Sequence, residues 1–326
     1  MKWLIAGTGS IGQRHIRNLQ ALRPDTSFVL LRANAREDQL SRELSATVVS
    51  AFEDALVHHP DAFLLATPSA LHAELLIPAI VAGLPMYVEK PVVTCQNEVN
   101  AVRQAMVEQH YSATTMVGCN LRFLPSLRKM RSLVQEGAIG RIVRGLFEAG
   151  QWLPDWRPSQ DYRQSYSADP KRGGGVVFDL IHELDAARWL VGEINNVKAI
   201  TASVSALDIA SEVVAGAVMC SDRGAVINLG LDYIARRPIR RYQLVGDEGT
   251  LTWELPTQTL VMDTSDERQV IHCGDKGFDV TATYQTAMAE FITALESGFL
   301  TSQSLEEGLK SSELAIHMKE QACLNP

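Results

Sequence analysis

The chain has 326 residues, 46% of them hydrophobic and 21% charged, with a net charge of -8 and a pI near 5.5. That length suits two domains with a core each, and the acidic balance argues against nucleic acid and for small-molecule partners. No apolar run is long enough to span a bilayer, and the opening MKWLIAGTGSIG turns glycine-rich too early for a secretion signal, so a cytoplasmic protein with no membrane partner is expected.

In chain order, KWLIA (2–6) is a short apolar run, followed by a glycine turn and an amphipathic stretch with Ile11, Ile16, Leu19 and Leu22 at near-helical spacing. The β-then-α cycle repeats. SFVLLR, ATVVS, AFLLATP, MYVEK and TTMVGCN read as strands, with REDQLSREL, FEDALVHH, LHAELLIPAIVAG and NEVNAVRQAMVEQ as the intervening helices. Nearly continuous apolar strands alternating with helices indicate a doubly wound parallel sheet, a Rossmann-type domain over 1–119. From 120 the pattern changes. SLRKMRSLVQEGAIG is a helix, IVRGLFEAG a strand, and 151–175 a stretch too rich in Pro, Gly and Trp for a regular element, which at this length points to function. One helix follows over VVFDLIHELDAARWLVG. Closely spaced strands then run from VKAITASVSAL to QVIHC, divided by turns such as DRG and GDEG, and two helices near 281–297 and 304–322 finish the chain. The fold class is therefore α/β: the parallel domain, then an α/β domain over 120–326 with a large, mainly antiparallel open sheet. The five cysteines, Cys95, Cys119, Cys220, Cys273 and Cys323, are scattered with no ligand-like spacing, so reduced thiols and no metal are expected.

GTGSIG (Gly7, Thr8, Gly9, Ser10, Ile11, Gly12) follows a strand and opens a helix, which is the context in which GxGxxG binds a dinucleotide. Gly7 serves the tight turn, Gly9 the approach of backbone to pyrophosphate, and Gly12 close helix packing, while the helix N-terminus attracts the phosphates. An NAD site expects an acid at the end of the second strand. Here that place holds Arg32, and Asp25 precedes the strand, so NADP is favoured over NAD unless Arg32 is only a solvated strand-end residue. MYVEKPV runs an apolar strand straight into Glu89, Lys90 and Pro91. Lys90 either snorkels to solvent there or meets a ligand at the carboxyl edge of the sheet.

GTGSIGQRH, ATPSALH (66–72), EKP (89–91), NLRF (120–123) and GGGVVFDLIHELD (173–185) occur in the order seen in Gfo/Idh/MocA oxidoreductases, and the resemblance covers essentially the whole chain. It implies hydride transfer between a nicotinamide cofactor and a hydroxyl or keto carbon of a sugar-like substrate, and a homodimer or homotetramer formed through the open sheet. It further implies that Lys90 contacts the reacting hydroxyl and the cofactor, that Thr67, Pro68, His72 and Glu89 belong to cofactor-contacting motifs, and that His182 is the acid/base with Asp179 as its companion. Asp179 and His182 are three positions apart, one closer than the commoner family spacing, though still neighbours on a helix. Without the resemblance His182 reads equally as an ordinary helix histidine. No tyrosine has a lysine four residues on, which removes a short-chain dehydrogenase mechanism. Histidine titrates near neutrality and so suits proton transfer, while Lys90 would stabilise charge developing on oxygen.

WLPDWRPSQDYR brings together Trp156, Arg157, Tyr162 and Arg163, and NLRF adds Asn120 and Arg122. Such residues suit an acidic or nucleotide-linked sugar, unless the arginines pair with Asp155, Asp161 and Asp169. A cofactor-binding regulator without turnover is the alternative, and the joint presence of Lys90 and His182 speaks for an enzyme.

Overall fold

The structure is a computed structural model that describes residues 1–323, apart from the side chain of Cys323. The chain divides into two compact units: Met1–Cys119 with Tyr284–Lys310, and Asn120–Thr283 with the chain from Ser311 onward. The sequence reading placed everything after residue 119 in one domain. Residues 284–310 join the first unit because their side chains fill its core: Phe291 lies edge-on to Trp3 and Tyr87, and a Cβ on Gly308 would collide with Val117.

In the first unit, β1 (Lys2–Ala6), β2 (Ser27–Leu31), β3 (Thr47–Val49), β4 (Ala62–Leu65), β5 (Met86–Val88) and β6 (Thr115–Val117) form a parallel sheet in the order β3-β2-β1-β4-β5-β6. The connecting helices are α1 (Ser10–Leu22), α2 (Gln39–Glu43), α3 (Phe52–Leu56), α4 (His72–Val81) and α5 (Gln96–Glu108). Strands β4, β5 and β6 are buried at every position, as their unbroken apolar runs require when both faces are covered. The expected helix over 36–44 is shorter. The Asp38 carboxylate accepts the Ser41 N–H at 2.9 Å and caps the first turn, so the helix begins only at Gln39.

The second unit opens with α6 (Pro125–Gln135) and β7 (Ile142–Gly150), and passes through four short 3₁₀ turns between Leu153 and Arg172. It continues through α7 (Val176–Asp179), α8 (Ile181–Val191), β8 (Ile194–Ala202), β9 (Val214–Ser221), β10 (Val226–Asp232), β11 (Ile239–Gly246), β12 (Gly249–Glu254), β13 (Thr259–Thr264) and β14 (Arg268–Val270). The eight strands are ordered β14-β13-β12-β11-β7-β10-β9-β8, antiparallel except where β7 pairs β10. One cross-strand row, Ala199, Ala217, Leu229, Phe147, Tyr242, Trp253 and Leu260, is buried. The row on the opposite face, Lys198, Val218, Asn228, Leu146, Gln243 and Thr252, is exposed or half-exposed. This is the period-2 alternation of a sheet with one covered face. The last helices are α9 (Val280–Ser297) and α10 (Leu305–Cys323).

The single helix expected over 176–192 is two. Leu180, at φ -98 and ψ 32, leaves helical geometry, and the Glu183 N–H bonds the Leu180 carbonyl three residues back instead of continuing the ladder. The turn before it needs its glycines: a Cβ on Gly174 would lie 2.2 Å from the Tyr166 carbonyl oxygen, and Gly175, at φ +118, abuts the Glu212 carboxylate. Lys319 of α10 holds that carboxylate at 2.8 Å.

Candidate active site

In the first unit the chemistry-bearing residues gather at the carboxyl ends of the strands. Gly7–Gly12 follows β1, Arg32 follows β2, Thr67 and Pro68 follow β4, and Glu89 and Lys90 follow β5. Strand order reverses between β1 and β4, the place where doubly wound sheets take their ligands. Gly7 sits at φ +95, and a Cβ there would lie 2.3 Å from the Ala66 carbonyl carbon and 2.5 Å from the Thr67 nitrogen. A Cβ on Gly12 would meet the Gly7 carbonyl oxygen at 2.0 Å, whereas nothing lies within 4 Å of one on Gly9. The turn is therefore closed underneath and open above. No side chain caps α1, which leaves the first-turn N–H groups of Ser10, Ile11 and Gly12 to a negative ligand. These features fit a dinucleotide pyrophosphate.

His72 is fully buried, with Nε2 3.0 Å from the Thr67 carbonyl oxygen and Nδ1 3.1 Å from that of Val92. Burial outweighs the two carbonyls and holds its pKa below the ordinary value of 6.5. The neutral ring carries one N–H, so it donates to one of these two carbonyls and packs against the other. Arg32 pairs with Asp38 at 3.0 Å and donates to the Arg36 carbonyl at 3.0 Å, bracing the stretch between β2 and α2. Hydrogen bonds to the carboxylate from the Ser41 backbone and from Arg32 hold Asp38 below its usual range. Lys90 is half-buried. Glu89 is buried and turned toward His15 of α1, which lies 2.6 Å away. Burial raises the Glu89 carboxyl, but the His15 hydrogen bond and charge, with Lys90 adding to them, outweigh it and keep it below the usual carboxylate range.

In the second unit the break at Leu180 brings Asp179 and His182 to one cleft of about 510 Å³, at the end of the sheet where β7 finishes and β11 begins. Gln151, Trp156, Pro238, Arg240 and Leu255 are among its other walls. Tyr233 donates to Asp179 Oδ2 at 2.6 Å, and burial and the Asp179 charge push the phenol well above its ordinary pKa, so it remains a donor. Trp156 meets the Tyr233 ring edge-on at 5.4 Å. Arg240 pairs with the buried Glu183 at 2.8 Å, and Tyr242 donates to the same carboxylate oxygen at 3.0 Å. This cleft can hold a small ring against Trp156 and present its hydroxyls to His182.

The other expected substrate residues have different surroundings. Arg122 forms a buried bidentate pair with Asp185, 2.7 Å at both contacts, and Asn120 donates to Thr283 Oγ1 at 2.6 Å. Arg163 is exposed and pairs with Asp161 at 2.8 Å. Arg157 and Tyr162 border a small cavity that shares the Trp156 wall. Tyr233, just past the end of β10, and Arg240, on β11, were not selected by sequence reasoning, since nothing but alternation marks them. His15 stood inside the quoted GTGSIGQRH, with its spacing from Gly12 as the only signal. Among the described residues no group of three or more His, Cys, Asp or Glu is placed to hold a metal, and Cys95, Cys119, Cys220 and Cys273 form no disulfide. Cys323 lies outside the side chains described.

Residues 1–118 match the family described as oxidoreductase family, NAD-binding Rossmann fold, and residues 127–252 match the GFO/IDH/MocA C-terminal domain. The rhizopine catabolism protein MocA of Rhizobium meliloti is 29% identical over 58% of this chain and 56% of its own length. Levoglucosan dehydrogenase of Pseudarthrobacter phenanthrenivorans is 34% identical over 46% of this chain and 37% of its own. The matches thus span about half, or less, of these relatives. An oxidoreductase domain protein from Kribbella flavida has the same fold, with a TM-score of 0.86 at 17% identity over 99% of this chain and 97% of that one. So does levoglucosan dehydrogenase in complex with NADH and levoglucosan, with a TM-score of 0.84 at 21% identity over 100% of this chain and 98% of that one.

Proposed function

The chain belongs to the Gfo/Idh/MocA oxidoreductase family, and from that premise we propose that it oxidises or reduces one hydroxyl-bearing carbon of a sugar or cyclic polyol with a nicotinamide dinucleotide. The observation that carries this reading is the assembly of the glycine turn, Arg32, Thr67 and Lys90 at the carboxyl ends of one parallel sheet, around its switch point. When bound, the nicotinamide supplies or accepts the hydride. The chain does the rest. Backbone N–H groups at the start of α1 seat the pyrophosphate, Lys90 stabilises negative charge on the reacting oxygen, and His182 exchanges its proton. Asp179, oriented by the Tyr233 hydroxyl, orients the substrate or the histidine, and Trp156 offers an apolar wall to the ring.

Relatives named for levoglucosan, scyllo-inositol and D-xylose act on neutral rings, and the cleft agrees with such a substrate, since Arg240 is neutralised by Glu183. An acidic or nucleotide-linked sugar would rely on Arg157. The test is a screen of neutral sugars, inositols, sugar acids and nucleotide sugars, following absorbance of the reduced cofactor. Binding of dinucleotide with no turnover of any of them would overturn the enzymatic reading in favour of a regulator.

Preference for NADP belongs to the same proposal, because a guanidinium follows β2 where an acid would serve a ribose hydroxyl. NADPH should bind more tightly than NADH, and Arg32→Asp should erase or reverse the order in fluorescence titrations. Equal affinities in the wild type would leave Arg32 as a brace for Asp38. Association through the open face of the eight-stranded sheet is the last part of the proposal. Ile200 and Val218 there are 65% and 53% exposed. A monomeric mass by light scattering would remove it.

A further inference from the structure

The proposed chemistry leaves the buried His15–Glu89 pair without a task. His15 projects from α1, is 0% exposed, and places Nε2 2.6 Å from Glu89 Oε1, with its ring 4.9 Å from that of Tyr87. The other Glu89 oxygen accepts the backbone N–H of Lys90 at 3.2 Å. A carboxylate buried in an apolar core is costly unless paired, so such an arrangement does not persist by default. The surroundings are shaped for it: a Cβ on Gly118, at the end of the neighbouring strand, would come within 2.8 Å of Glu89 Oε1. His15 also helps keep the carboxyl ionised against the effect of burial.

From this geometry we propose that His15 and Glu89 are positioning residues for Lys90, tying the peptide that carries it to the helix that begins at the dinucleotide turn. The inference rests on the reading of Lys90 as the group that handles the reacting oxygen. The carboxylate grips the Lys90 main chain, so it fixes the base from which the side chain extends. The imidazole carries the other end of the link to α1, whose first turn faces the phosphates. Two hydrogen bonds thereby set the place of the reacting oxygen relative to the cofactor. Hydride transfer demands that register, since a misplacement of about 1 Å costs roughly a hundredfold in rate.

Glu89→Gln keeps the shape and removes the charge. With the sugar identified by the screen, it should lower kcat by about tenfold to a hundredfold and leave the NADH dissociation constant close to wild type. It should also raise the primary isotope effect for substrate deuterated at the reacting carbon. His15→Gln should do the same to a smaller degree, and the double variant should be no slower than Glu89→Gln alone, as expected for residues acting as one unit. Unchanged kcat and isotope effect in Glu89→Gln would reduce the pair to a structural contact. Should that variant fail to fold, His15→Gln, which keeps the carboxylate, carries the same decision. A wild-type protein that binds NADH yet turns over none of the sugars overturns the role of Lys90, and this inference with it. Turnover lost in Lys90→Ala but intact in Glu89→Gln overturns only the pair.

Discussion

The two units hold the residues of their candidate sites differently. In the first, the groups behind the strand ends are enclosed: His72 lies between two carbonyls, and Glu89 between His15 and a main-chain N–H. In the second, Asp179, His182 and Arg240 stand at a cleft wall, with Tyr233 bonded to Asp179 and Glu183 paired with Arg240. The contrast follows from sheet type. A parallel sheet covered on both faces exposes function only at its strand ends, so the residues there must be fixed by their own neighbours. An antiparallel sheet with one covered face can set a cleft where strands, loop and helix meet, and can recruit side chains from distant stretches of chain.

Breaking either side should show the same loss of chemistry by different routes. Lys90→Ala and His182→Ala should each cut turnover by roughly two to four powers of ten, with dinucleotide affinity held within a few-fold in both. Near wild-type turnover in either variant would remove that residue from the chemistry. A smaller effect, on stability alone, separates the arginines of the second unit. Arg122→Ala leaves Asp185 buried without its guanidinium and should lower unfolding free energy by about 3–5 kcal/mol, whereas Arg163→Ala should leave the urea midpoint where it was. Equal midpoints for the two variants would contradict the buried and exposed settings assigned to them.

Acid should reveal the enclosure of the first unit with the mildest effect. The folded pKa of His72 is lowered, so below its ordinary value of 6.5 the unfolded chain takes up a proton that the folded unit refuses, and stability declines as pH falls. The lowered carboxyl of Glu89 acts in the same direction further down: its contribution is present above the ordinary 4.5 and disappears as pH drops through the folded value. Urea midpoints followed downward from neutral pH should fall, and His72→Gln should flatten the upper part of that curve. A wild-type midpoint constant from pH 7 to 5 would show that His72 does not titrate as described, and one constant from about pH 5 to 3 would show the same of Glu89.

The parallel sheet was legible in the sequence because its signals are local: each apolar run, each turn and the glycine pattern lie within a few residues of one another. The places of Lys90 and the glycine turn at the strand ends could be read for that reason. The helix break at Leu180 could not, since neither glycine nor proline marks it, and it concerns one backbone dihedral. Tyr233 and Arg240 were hidden because alternation tells which face a strand residue takes, not which cleft it reaches. Arg122 and Arg163 looked alike as loop-borne cations, and only tertiary pairing separates them.

The parallel pairing of β7 with β10 also sets a timetable. Residues 142–150 must wait for 226–232 on one side and for 239–246 on the other before the middle of their sheet exists. Loop-closure entropy is lost across that span before the β7–β10 contacts reward it, which makes this pairing intrinsically slow compared with local hairpins such as β11–β12. The loop with Trp156 and the helix with His182 both lie inside the unclosed span. They acquire fixed places only when the two flanking strands arrive, so on a growing chain the cleft is among the last features of the second unit to take shape.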